Sequence, residues 1–150
     1  MELLSRIADA QKEAMKARDT ARLSTVRMIL AAVKDKEIAL RTSGQEMSES
    51  EVLALLGKMV KQRQESAKVY VDGGRQELAD KELAEVGVIE TFLPKALSPA
   101  EVDAAIGMAI AEVGATSLRD MGKVMGALKA KYTGQMDFGA VGAVLKSRLG

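Results

Sequence analysis

The chain has 150 residues, 47% of them hydrophobic and 29% charged, enough for one ordinary globular domain or two small ones. It contains no cysteine and no histidine, which excludes disulfides, cysteine-based zinc sites and any histidine-dependent triad. A net charge of +1 selects no partner, so any electrostatic argument rests on where the charges gather.

The first residues are charged every few positions and lack the apolar centre of a signal peptide. No apolar run approaches the roughly 18 residues of a membrane span, and a cytoplasmic protein is expected. From Glu2 to about Ala17, Leu3, Leu4, Ile7, Ala8, Ala14 and Met15 form one helical stripe. A second helix follows, with Leu23, Val26, Ile29, Leu30, Val33 and Ile38 making a broad apolar face. Arg22 and Arg27 flank "LSTV" on this helix, and a structural role is expected, one of them snorkelling or pairing internally.

Ser48 with Glu51 fits a capping box opening a third helix over Val52, Leu55, Leu56, Met59 and Val60, its apolar face thinning to Val69 and Tyr70. Along it, Lys58, Lys61, Arg63 and Lys68 form a basic cluster. "DGGR" is a turn, and a fourth helix from Gln76 to Leu93 buries Leu78, Leu83, Val86, Ile89 and Leu93 before Pro94 ends it. "PKALSP" marks a domain junction, dividing the chain into residues 1–95 and 98–150.

Ser98, Pro99 and Glu101 supply cap, first-turn proline and capping-box carboxylate for a fifth helix through Val113, which Gly114 stops. Two shorter helices follow. One carries Leu118, Met121, Met125, Leu128 and Tyr132; the other, capped by Asp137, carries Phe138, Val141, Leu145 and Leu149. No strand-like alternation and no repeat is evident. The expected fold is all-α, an N-terminal bundle of about four helices followed by a small three-helix tail domain.

The glycine-rich end invites a phosphate-loop reading, which fails. Gly122-Lys123 is followed by Val124, position 117 is Ser117, and no strand precedes it. Gly122 and Gly126, four apart on one helix face, suit close approach of another helix, with close approach of a nucleic-acid backbone as the sharper alternative. Between Gly114 and Gly150 six basic residues face two acidic ones, a local net charge of +4. The candidate RNA-binding residues are therefore Lys123, Lys129, Lys131, Lys146 and Arg148, with Gly122 and Gly126. No catalytic constellation, metal-ligand spacing or cofactor motif is present.

Three stretches carry a family resemblance: "ARLSTVRMILAAVKDKEI", "KQRQESAKVYVDGGRQELADKELAEVGVIETFLPKALS" and "MGKVMGALKAKYTGQMDFGAVGAVLKSRL". In this order and spacing they resemble the GatB/YqeY family over nearly the whole chain. The last stretch also resembles the tail domain of the B subunit of the glutamine-dependent tRNA amidotransferase. The resemblance implies two helical domains, the second engaging the elbow region of tRNA. It also implies a carbon–nitrogen ligase label with glutamine as nitrogen donor, although none of the matching motifs is catalytic. An accessory protein that binds tRNA or another structured RNA through its tail is expected. The alternatives are an adaptor docking on amidotransferase or synthetase proteins, and a component of the amidotransferase reaction.

Overall fold

Local caps decide where each helix begins and ends. The structure, a computed structural model, describes residues 1–150. Helix α1 (Glu2–Ala17) stops at Arg18, whose φ of 57° is left-handed and whose N–H donates to Ala14 and Met15 carbonyls. The Asp19 carboxylate accepts the Arg22 N–H and opens α2 (Thr20–Thr42). Ser48 Oγ accepts the Glu51 N–H at 3.2 Å to open α3 (Glu49–Asp72), and a turn through Gly74, at φ 73°, leads into α4 (Gln76–Glu90). Ser98 and Glu101 form the reciprocal box at the start of α5 (Pro99–Val113), which Gly114 closes at φ 70°.

Asp137 accepts from Gly139 and Ala140 N–H groups to start α7 (Phe138–Leu149), after α6 (Met121–Tyr132). With seven α-helices and no strand, the fold is all-α as expected.

Two boundaries differ from the sequence reading. Helix α4 ends at Glu90 rather than Leu93, because Thr91, Phe92 and Leu93 donate their N–H groups three residues back. That tightening turns Phe92 into the core. Leu118 lies on a separate 3-10 turn, Leu118–Asp120, not on α6. Here the Asp120 carboxylate accepts the N–H groups of Thr116 and Ser117, and these bonds with nearby Lys123 and Arg119 hold its pKa below the ordinary carboxylate value.

The chain divides into two compact units, Met1–Pro94 and Lys95–Gly150. In the first, Ile7, Val26, Ile29, Leu56 and Ile89 are fully enclosed and form one cluster. Leu83, expected inside, is 48% exposed, and Val69, Met15 and Ile38 also face outward. For Leu83 and Val69 the reason is the close seating of α3 against α4, where the small Ala67 and Ala79 occupy the buried line and larger neighbours turn away.

Arg63, read as part of a surface cluster, instead joins these two helices. Its Nε donates to Glu85 Oε2 at 3.0 Å and its guanidinium also donates to the Met59 carbonyl, with both side chains mostly covered. Glu85→Ala strands that guanidinium, and chemical denaturation is expected to show a loss of about 1–3 kcal/mol.

The second unit closes over Ile106, Val124, Leu128, Val141 and Leu145. The Leu97 N–H donates to the Gln135 carbonyl at 2.9 Å, and the Gln135 amide donates to the Lys95 carbonyl. These bonds tie the strand-free lead-in of α5 to the loop joining α6 and α7.

Candidate nucleic-acid interface

Helical glycine costs about 1 kcal/mol relative to alanine, so Gly122 and Gly126 call for a reason. Close packing by another helix is not that reason. A Cβ built on either residue would meet nothing within 4 Å, and both are exposed. Gly142 differs: a Cβ there would touch the Met125 and Met121 methyl groups, at 3.5 and 3.6 Å. The methionines thus lie over the middle of α7, and Gly142 is the packing glycine.

Contrary to the sequence reading, the tail contains a repeat. At an offset of 17 residues, Gly122 matches Gly139, Val124 matches Val141, Leu128 matches Leu145 and Lys129 matches Lys146. Lys131 with Arg148 and Gly126 with Ala143 are conservative pairs in the same register. The structure treats the matched residues alike: the two valines and two leucines are all buried, while both glycines and both lysines are exposed. Direct self-comparison of the last thirty residues carries this signal, whereas hydrophobic periodicity alone does not.

The two helices run antiparallel. Lys129, near the end of α6, lies 6.0 Å from the Phe138 ring at the start of α7, and Leu118, just before α6, lies beside Gly150 just after α7. Two like helices packed antiparallel are related by an approximate two-fold axis, so equivalent residues share one side of the pair. At about 100° per residue, Lys129 and Gly122 stand next to the α7-facing methionines on one side of α6. Their counterparts Lys146 and Gly139 therefore stand on the same side of α7. The seating of Gly142 sets Gly126 level with Gly139 and Gly122 level with Ala143. The result is a shallow floor of small residues with a lysine at each end, about 15 Å apart along the helices.

The remaining candidates lie elsewhere. Lys123 is exposed on the solvent side of α6, near Asp120. Lys131 leaves α6 from the opposite flank and sits 5.8 Å from the Tyr132 ring. Arg148, its counterpart, forms an ion pair with Asp103 of α5. The geometry therefore joins Lys129 and Lys146 with Gly122 and Gly126, and separates them from Lys131 and Arg148. No group of three acidic side chains is disposed to hold a metal ion.

A two-unit helical protein whose terminal hairpin presents a glycine floor between paired lysines is the class that fold and surface define. The chain belongs to the Yqey-like protein family, whose model matches residues 4–149. It is similar to proteins named "Altered inheritance of mitochondria protein 41, mitochondrial". That of Lachancea thermotolerans is 31% identical over 104 residues, covering 68% of this chain and 54% of the relative. Those of Vanderwaltozyma polyspora and Kluyveromyces lactis are 33% and 34% identical, covering 61% and 63% of this chain and 50% and 51% of the relatives. The chain spans about half the length of these relatives. Their names overturn the expectation of a cytoplasmic protein, since each relative is called mitochondrial. That expectation rested on the charged first residues and the lack of a long apolar run, and neither reports a compartment. No helix is long and apolar enough to cross a membrane.

Proposed function

We propose that the C-terminal unit binds structured RNA, with tRNA the leading candidate, across the shared face of α6 and α7. The observation that carries this reading is the pairing of Lys129 and Lys146 at the two ends of a floor of small residues. Lysines neutralise phosphates, and the absence of Cβ atoms lets a sugar–phosphate backbone approach the helices closely. With no aromatic ring among the exposed floor residues, recognition is by shape and charge rather than by base stacking. The resemblance of "MGKVMGALKAKYTGQMDFGAVGAVLKSRL" to the amidotransferase tail domain supports the same reading. On it the chain is an accessory RNA binder, and any carbon–nitrogen bond formation belongs to a partner. The names of the relatives make a mitochondrial setting the one to test first.

The glycines provide the test. In the free protein Gly122→Ala and Gly126→Ala fill open space on a regular helix, and each is expected to stabilise the C-terminal unit by up to about 1 kcal/mol. In the complex the added methyl groups hold the RNA backbone off the floor. The double variant should therefore melt higher and bind labelled tRNA several-fold more weakly by fluorescence anisotropy. A variant that melts higher and binds unchanged would remove the glycine floor from the interface.

A further inference from the structure

The outer face of α2 carries a pattern that its own core does not require. Val26, Ile29 and Val33 face inward. On the opposite side of the helix, Ser24, Ala31 and Ile38 recur at intervals of seven, and beside them so do Arg27, Lys34 and Arg41. Seven residues make nearly two turns, so each set forms a nearly straight row with a step of about 10 Å. Asp35 lies on the far flank of the Ser24, Ala31 and Ile38 row, away from the cations.

Both rows are open. Ile38 is 52% exposed. A shallow hollow of about 430 Å³ is lined by Thr20, Leu23, Ser24, Arg27, Met28 and Ala31. Of Arg22 and Arg27, one of which was expected to snorkel or pair internally, Arg27 is exposed, and neither it nor Lys34 meets an acidic group of this chain. Arg41 is held only by Glu37 on its own helix, at 3.3 Å with both side chains in solvent.

A row of small side chains ending in Ile38, with Leu23 and Met28 beside it and like charges along it at a seven-residue interval, is what one helix offers to another. The apolar side chains seat the partner, and the charges set its register and direction. A nucleic-acid backbone would engage the cations and leave Ile38, Ala31 and Met28 facing water, whereas a helix uses both rows. We propose that this face of α2 docks an amphipathic helix of a partner protein, one bearing acidic residues at seven-residue intervals beside an apolar stripe. The inference concerns the N-terminal unit and does not depend on the RNA reading of the tail.

The test uses the full chain and two labelled synthetic helices of three heptads. Both have a Leu/Ala stripe; one is flanked by Glu at the seven-residue interval and the other by Lys. The acidic helix is expected to bind, and to protect the amides of α2 from hydrogen exchange. The triple variant Arg27→Glu, Lys34→Glu and Arg41→Glu is expected to bind it at least about tenfold more weakly and to accept the Lys-flanked helix instead. That exchange of preference distinguishes a disabled interface from a damaged fold. Equal binding of the acidic helix by both proteins would overturn the proposal, and so would protection falling outside α2. Protection of α2 by unfractionated tRNA in place of the acidic helix would also overturn it, assigning the cationic row to RNA.

Discussion

Reversing Lys129 and Lys146 together to glutamate is expected to weaken tRNA binding by about 10- to 100-fold near 0.1 M salt. The dependence of log K on log salt should fall by about two, one for each lysine–phosphate pairing removed. The fold survives, because both side chains are exposed and neither forms an ion pair within the chain; Lys129 stands only near the Phe138 ring. Lys131→Glu serves as the internal contrast. It stands two residues from Lys129 but about 200° around the helix, beside Tyr132. Its reversal should therefore cost much less than that of the Lys129–Lys146 pair. Equal weakening by Lys131→Glu and by the double reversal would mean that general positive charge, not one face of the hairpin, holds the RNA.

The second large effect is on stability. Leu128 is completely enclosed among Val124, Val141, Leu145 and Ile106. Truncating such a leucine to alanine typically costs about 2–5 kcal/mol, from forfeited transfer energy and the cavity left behind. A single core in a domain below roughly 70 residues rarely supplies more than about 3–5 kcal/mol in total. Leu128→Ala should therefore unfold the C-terminal unit near body temperature while Met1–Pro94, with its separate core, stays folded. Hydrogen exchange read by mass spectrometry would show protection abolished over α5, α6 and α7 and kept over α1 to α4, and tRNA binding would disappear with it. Simultaneous deprotection of α1 to α4 would show that the two cores are not independent.

Most of the fold was legible in the sequence because its punctuation is chemically explicit. Ser98, Pro99 and Glu101 can hardly open anything but a helix, and Gly114 closes it as its lack of a Cβ allows. Rotation of the helices about their axes was less legible. Leu83 and Ala79 stand one turn apart on α4, and hydropathy favours burying the leucine, yet the alanine is enclosed and the leucine is 48% exposed. Arg63 shows the same limit: its partner Glu85 lies 22 residues away on the next helix.

The candidate surface was legible residue by residue but not as a surface. Lys129 and Lys131 invite pairing because they are neighbours in the chain, whereas on the helix they diverge. Lys146 joins Lys129 only through the repeat and the antiparallel packing set by Gly142 and the methionines. The openness around Gly122 and Gly126 could not be read from composition, since a packing glycine and a ligand-facing glycine look the same until the neighbours are known.

The most direct measurement is a backbone amide chemical-shift map of the full chain titrated with unfractionated tRNA. Perturbations are expected to gather at Gly122, Gly126, Lys129, Gly139 and Lys146, to weaken with added salt, and to spare Arg148 and the Asp103 side of α5. Perturbations centred on Arg148 and α5, or none in the C-terminal unit, would contradict RNA binding on the shared face of α6 and α7.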